Sequence, residues 1–367
     1  MSINQNELLA TLALQSIPNL GDTTAKKLIR HLGSAEAVLA SKKDSLMKIE
    51  GIGAIRIKEL HNSNYLKLAE EELRFIEKNN VKVYHYKEPA YPEKLKHCVD
   101  GPILLFSRGK IDLRAKRIIS IVGTRMITAH GQSFCEELVA ELAPLDPVIV
   151  SGFAYGVDIV AHKTALKHNL QTIGCLAHGL NQIYPKVHGR YMAPMEENGG
   201  FFTDFWSSQR FDRNNFLKRN RIIAGLSEAT IVIESAEKGG SLVTADIANS
   251  YNREVFAVPG RATDTQSRGC NNLIKSQNAH LLTSAADLIY MLNWKLNDDK
   301  RSVQKQLFVE LELDEQLIYE YLNKGKQQLD VIALECKIPT YKAAGILLDM
   351  ELKGVVRPLP GKLFEAI

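Results

Sequence analysis

Apolar positions change their spacing twice along the chain. From about residue 6 to 80 they recur every three or four residues, as in "ELLATLALQ" and "TAKKLIRHLG", a period that predicts helices. From about residue 81 to 292 the texture becomes short β-branched runs separated by helical stretches. "VKVYHY", "RIISIVG", "VIVSG", "TIGCLA", "GGFFTDF", "ATIVIES" and "EVFAVPG" predict strands, and "GQSFCEELVAELA" and "AHKTALKHNL" predict helices between them. Strands that are apolar throughout have both faces covered, so this is the grammar of an α/β, Rossmann-like, doubly wound and mostly parallel sheet. The polar stretch "NWKLNDDKRSVQKQ" interrupts the pattern and predicts a linker over 293–306. Beyond it, "DEQLIYEYLN", "QLDVIALEC" and "PTYKAAGILLDMELKG" predict three short helices, the last opening at or near Pro339 and ending before Gly354. "VVRPLPGKLFEAI" completes the pattern as a two-stranded wing.

Four segments follow: a helical module over 1–80, a Rossmann-like core over 81–292, the linker, and a winged-helix-like module over 307–367. In the first, "IPNLGDTTAKKLIRHLG" and "LMKIEGIGAIRIKELH" share an apolar residue, a turn with Gly21 or with Gly51 and Gly53, and a new helix start. That pattern resembles the helix-hairpin-helix module, whose turn amides can meet a nucleic-acid phosphate; an ordinary helical connection has the same outline. A winged helix binds DNA through its third helix or docks onto protein, and both readings stay open.

Composition narrows the classes. A chain of 367 residues with 45% hydrophobic content can bury a full core. No apolar run reaches the length of about 18 residues that a membrane-spanning helix needs, and "MSINQNELLA" lacks the basic head and apolar stretch of a secretory signal, so a cytoplasmic protein with no membrane partner is expected. Cys98, Cys135, Cys175, Cys270 and Cys336 lie far apart with no metal-ligand spacing, which predicts reduced structural thiols and no metal site.

Three glycine-containing loops stand at predicted strand ends. "SGFAYGVDIVAH" presents Ser151 and Gly152, "IVGTRMITAHG" presents Gly123, Thr124 and Arg125, and "ESAEKGGSLVTADIA" presents Gly239, Gly240, Ser241 and Thr244. In a parallel sheet all three face one edge, where backbone amides at helix starts can hold anions and Arg125 adds a fork of donors. Neither GxGxxG nor GxxxxGK[ST] occurs, which disfavours NAD and P-loop ATP chemistry. The GxSxG of a nucleophile elbow is absent too, because Ile149 and Phe153 stand where its glycines belong. His162 is expected to be a packed or capping histidine, and no catalytic residue and no cofactor are expected.

The stretch "QRFDRNNFLKRNRIIAGLS", residues 209–227, sets Arg210, Arg213, Lys218, Arg219 and Arg221 against Asp212, a local charge of +4 that equals the net charge of the whole chain. Phe211 and Phe216 interleave with these cations, the composition of a groove that tracks a backbone and stacks unpaired bases. A solvated basic helix face would carry compensating acids at i,i+4, and the stretch has none.

Together "GTR" at 123–125, "SGFAYGVDIVAH", "FLKRNRIIAGLS", "GGSLVTA" and "VFAVPG" resemble the DNA-processing protein A (DprA/Smf) family over roughly residues 80–290. The resemblance implies a homodimer that binds single-stranded DNA, protects incoming DNA during natural transformation and loads a RecA-type recombinase. It also implies a DNA pocket formed here by Gly123, Thr124, Arg125, Ser151, Gly152, Lys218, Arg219, Asn220, Arg221, Gly240 and Ser241, with Phe216 as the stacking residue of the basic stretch. Two positions depart from the family pattern: Asn252 replaces the glycine of a glycine-arginine pair before "VFAVPG", and Asn278 replaces a glycine after "GCNNLI". The competing class is a nucleotide phosphoribohydrolase, since "EKGGSLVTADIA" distantly resembles a phosphate loop. The acid such an enzyme needs is out of register, because Asp246 follows Thr244 by two positions.

Overall fold

A computed structural model describes residues 3–114, 117–294, 311–323, 325–353, 355–359 and 363–366. The chain divides into two units, Met1–Lys295 and Leu296–Ile367.

The first unit begins with six helices: α1 (Gln5–Ser16), α2 (Gly21–Leu32), α3 (Ala35–Ala40), α4 (Lys43–Leu46), α5 (Ala54–Ile57) and α6 (Ser63–Lys78). Their starts are set locally. Asn4 caps α1 by accepting from Glu7 N–H at 2.7 Å, and Ser34 caps α3 by accepting from Ala37 N–H at 3.0 Å. Gly21 and Gly51 sit at the two predicted turns with φ of 55° and 74°, a region that glycine enters without steric cost.

The α/β part follows as β1 (Lys82–His85), α7 (Glu93–Lys96), β2 (Leu104–Arg108), β3 (Ile118–Val122), α8 (Ala129–Leu142), β4 (Val148–Ser151), α9 (Val157–Lys167), β5 (Thr172–Cys175) and α10 (Met192–Glu197). It continues through β6 (Gly199–Thr203), α11 (Asn214–Leu226), β7 (Ala229–Val232), α12 (Gly240–Ser250), β8 (Glu254–Ala257), α13 (Arg268–Lys275), β9 (His280–Leu281) and α14 (Ala285–Met291). These strands form one sheet in the order β1-β2-β6-β5-β4-β3-β7-β8-β9, parallel from β6 to β9 and antiparallel at β1 and β2. Because β4 and β7 flank β3, the winding direction reverses there, and the crevice above the strand ends at such a reversal is where doubly wound sheets bind ligands.

Alternate strand residues supply two cores. Ile119, Ile121, Ile149 and Ile231 face α8, α9 and α14, while Val122, Val148, Val150 and Val232 join the side that carries α11 and α12. The second core runs without a break into Leu12, Leu14, Leu28 and Ile29, so the helical module and the sheet share one apolar interior.

β2 and β9 lie outside the strand pattern expected above. β9 has two residues, too few to mark a strand, whereas β2 is an apolar run of the same kind as the strands expected above. At the two family departures, Asn252 adopts φ 54° and so supplies the left-handed geometry itself. Near the other, the positive φ falls on Gln277 (59°) rather than on Asn278.

The second unit contains α15 (Leu313–Leu322), β10 (Gln327–Gln328), α16 (Leu329–Glu335), α17 (Thr340–Leu352), β11 (Val356–Leu359) and β12 (Leu363–Ala366). Its small antiparallel sheet is ordered β10-β12-β11, and Ile318, Leu322, Ile332, Leu347, Met350 and Val356 form its core. Three helices with a wing were expected; β10 is the added strand. Pro339 is the N-cap of α17, while Gly354 and most of the expected linker lie outside the described residues.

Candidate nucleic-acid interface

The loops after β3, β4 and β7 meet, as expected, at one edge of the sheet. They enclose an open cleft of about 430 Å³ at the reversal beside β3. Gly123, Thr124 and Arg125 line one side, and Lys238, Gly239, Gly240 and Ser241 line the other. α11 forms the wall between them with Arg213, Phe216, Arg219 and Asn220.

The two outer loops are clamped together. Glu234, 5% exposed at the end of β7, accepts from Thr128 N–H at 2.9 Å and from its hydroxyl at 2.5 Å, while its carbonyl accepts from Thr124 N–H at 2.7 Å. Arg125 is exposed, with its guanidinium 5.2 Å from the centre of the Phe216 ring. α12 opens at Gly240 with no side-chain cap, and its first two residues, Gly240 and Ser241, line the cleft, which puts the positive end of its dipole there. A Cβ placed on Gly240 would meet nothing within 4 Å.

The loop "SGFAYG" has a different role from the open anion cradle expected of it. Ala154 N–H donates to Asp158 at 3.2 Å, and just past the loop Val157 N–H, the first amide of α9, donates to Thr124 carbonyl at 3.1 Å, so neither amide is open to a ligand. The Ser151 hydroxyl, fully buried, donates to Ile121 carbonyl at 2.6 Å. Gly152 carbonyl accepts from Arg219 at 2.5 Å, and Arg219, 4% exposed, also donates to Cys175 carbonyl. Gly152 is the spacer that allows this: an added Cβ would lie 2.5 Å from the Asp158 carboxylate and 2.6 Å from the Arg219 guanidinium. Burial raises the Asp158 pKa against the pull of Arg219, and burial lowers that of Arg219 against the pull of Asp158. Arg219 and Asp158 therefore make the floor of the cleft, while Ser151 and Gly152 do not line it and lie behind that pair. Asn220, 7% exposed, donates to Gly240 carbonyl at 3.3 Å and ties the α11 wall to the start of α12.

Lys218 and Arg221 point to the other side of α11. Both line a separate cleft of about 660 Å³ against the helical module, with Asp22, Asp100, Asp204 and Trp206. Arg221 donates to Asp22 at 3.0 Å and also to Asp204. This corrects the expectation of an uncompensated basic stretch: the acids exist, but they come from α2 and from the end of β6, beyond the reach of an i,i+4 count. Burial lowers the Arg221 pKa, but Asp204, Asp22 and Asp100 outweigh it and hold the guanidinium charged. The first predicted hairpin turn is likewise engaged with the core, since Asp22 accepts from Ile103 N–H at 2.9 Å.

Arg213, a cation of the basic stretch noted above, and Lys238, which the sequence reading did not name, are both exposed in the cleft. Lys238 directly precedes the glycine pair, a visible signal in "EKGGS". His162 is fully buried, its Nδ1 2.7 Å from the Thr172 hydroxyl, and burial pushes its pKa down to about 3, as a packed histidine requires. Cys98, Cys135, Cys175 and Cys270 are buried free thiols and Cys336 is half-buried and free. Among the described residues no helix is long and apolar enough to cross a membrane.

Family models match three segments: DNA recombination-mediator protein A over residues 82–293, the DprA winged helix domain over 306–362 and a SAM-like helix-hairpin-helix tandem over 11–63. Protein Smf of Escherichia coli is 33% identical over 300 residues, 80% of this chain and 80% of the relative. Protein Smf of a Synechocystis strain is 32% identical over 77% of this chain and 71% of its own length. The crystal structure of DNA processing protein A from Streptococcus pneumoniae superposes with a TM-score of 0.65 at 28% identity, covering 79% of this chain and 98% of that one. A structure of the Helicobacter pylori protein, described by its single-stranded DNA binding mode, gives a TM-score of 0.52 at 28% identity, over 58% of this chain and 95% of that one. With its central 82–293 segment and both flanking modules matched in order, the chain belongs to the DNA recombination-mediator protein A (DprA/Smf) family.

Proposed function

We propose that the protein binds single-stranded DNA in the cleft beside β3 and acts as a non-enzymatic recombination mediator. The observation that carries this reading is the convergence of Arg125, Arg213 and Lys238 with the aromatic ring of Phe216 and an uncapped helix start in one open cleft. Cations and amides suit phosphates, and a ring at the same place suits an unpaired base. Direct contacts are assigned to Gly123, Thr124, Arg125, Phe216, Gly240 and Ser241, with Arg213 and Lys238 added. Ser151, Gly152, Arg219 and Asn220 hold the site in shape. Lys218 contributes to the positive field, and Arg221 anchors α11.

Homodimerisation, protection of incoming DNA, loading of a RecA-type recombinase and a cytoplasmic setting belong to the same proposal and rest on family membership. The hydrolase alternative finds no support from Asp246, which lines a different surface depression with Leu242 and Lys275.

The test is binding of a labelled single strand and its matched duplex across a salt series. Wild type is expected to prefer the single strand, with affinity falling steeply as salt rises. Arg125→Ala should weaken single-strand binding and flatten the logarithmic salt slope by about 0.7, the value for one lost phosphate contact. Equal affinity for both nucleic acids, or an unchanged slope in the variant, would remove the cleft as the DNA site.

A further inference from the structure

Phe216 belongs to an aromatic surface that extends beyond the cleft. Its ring centre lies 5.6 Å from that of Phe211 and 5.7 Å from that of Tyr184, and those two are 4.9 Å apart. Neither outer ring lines the cleft; they continue its wall away from Arg125, and they are 40% (Tyr184) and 46% (Phe211) exposed. Arg213, exposed and two residues beyond Phe211 in the sequence, lines the cleft beside Phe216.

The shelf is held by hydrogen bonds. Asn181 Nδ2 donates to Ser207 carbonyl at 2.9 Å and Gln182 Nε2 donates to Gln209 carbonyl at 3.1 Å, which joins the loop leading to Tyr184 to the loop leading to Phe211. Glu72, 4% exposed on α6 of the helical module, accepts from Ser207 N–H at 2.9 Å and from its hydroxyl at 2.6 Å. A buried carboxylate from a distant segment thus fixes the start of the loop that carries Phe211.

We propose that Tyr184 and Phe211 form a stacking shelf for a further unpaired nucleobase, adjacent to the one on Phe216, and that Glu72 is the positioning residue through which the helical module supports it. The proposal rests on the single-strand reading above. Continuity with the Phe216 ring, in a cleft that Arg125, Arg213 and Lys238 also line, selects a nucleic-acid strand as occupant over an apolar protein segment, which would leave those cations unmatched. Stacking accepts any base, so the shelf lengthens the occluded strand without adding sequence readout.

The experiment titrates the full chain with two labelled strands of about 12 nucleotides, within the site size of such grooves. One carries all its bases; the other has abasic sugars in its outer portions at both ends. Wild type is expected to bind the intact strand more tightly. Tyr184→Ala/Phe211→Ala should lose about 5- to 100-fold on the intact strand, the range for stacked bases, and lose nothing on the abasic one. Tyr184→Phe/Phe211→Trp should bind both strands as wild type does. Glu72→Ala should lower the intact-to-abasic ratio, and Glu72→Gln, whose amide oxygen still accepts, should restore it. An alanine double variant with unchanged affinity for the intact strand, or with equal losses on both strands, overturns the shelf while the cleft stands. A ratio unmoved by Glu72→Ala overturns the positioning role. Failure of wild type to bind either strand overturns the cleft reading itself.

Discussion

Replacing Arg221 by alanine should weaken the fold far more than it weakens DNA binding. The guanidinium, 14% exposed, is shared between the carboxylates of Asp22 and Asp204, which are 17% and 8% exposed. Asp204 accepts from Arg221 through Oδ2 while its buried Oδ1 has no hydrogen-bond partner, so deletion of the arginine would strand a buried carboxylate with both oxygens unpaired. Removing one member of a buried ion pair costs about 3–5 kcal/mol. Because Asp22 lies nearer water, the lower half of that range applies, about 3–4 kcal/mol. For a unit of this size the melting temperature should fall by roughly 5–7 °C. Urea denaturation at neutral pH measures the loss directly, and single-strand binding is read in parallel at a temperature where both proteins are folded. Arg221→Met/Asp204→Asn should recover most of the stability, because it removes the charge together with its partner. A variant within about 0.5 kcal/mol of wild type in stability that still lost DNA affinity tenfold would refute this reasoning and make Arg221 a DNA ligand.

Substitutions at Gly152, behind the cleft floor, and at Gly240, on its rim, should separate cleanly. Gly152→Ala forces a methyl between Asp158 and Arg219 and should cost about 1–3 kcal/mol, whereas Gly240→Ala meets open space and should melt as wild type while weakening DNA binding at the start of α12. Thermal denaturation with matched binding titrations checks both, and a Gly152→Ala protein as stable as wild type would contradict the packed floor. Burial holds His85 and His162 neutral, with pKa values pushed down to about 4 and about 3. Between the ordinary value near 6.5 and these lowered values the unfolded chain binds protons that the folded chain refuses. Stability should therefore be complete above about pH 6.5 and fall as pH drops, by up to about 1.4 kcal/mol per pH unit for each histidine. His162→Gln should remove about one proton from that slope, and an unchanged slope would show that His162 is not protonated on unfolding.

Much of this architecture was legible from spacing. Apolar runs of four or five residues, each followed by a glycine-containing turn and a helical stretch, dictate parallel strands, and the loops after β3, β4 and β7 must then share an edge. What spacing could not convey is the direction each group takes at that edge. Ser151 and Gly152 looked like the entrance to a cradle, yet their groups bond inward to Ile121 and Arg219. The cation run over 210–221 looked uniform because its acids lie elsewhere, at Asp22 and Asp204. Tyr184 carried no signal, since its neighbour Phe211 is brought to it only by the hydrogen bonds of Asn181 and Gln182.

Residues 219 and 221 are about 200° apart around α11, which is why one arginine floors the cleft beside β3 and the other locks onto α2. The consequence concerns how the molecule can be dissected. Cutting away the six leading helices would strip Glu72 from the Phe211 loop, take Asp22 from Arg221 and open the shared apolar interior to water. A core isolated in that way would carry an exposed arginine with one of its two carboxylates gone and a slackened aromatic edge. Its DNA affinity would report on that altered surface rather than on the site of the intact chain, so point substitutions on the whole protein are the sound route to assigning what the helical module contributes.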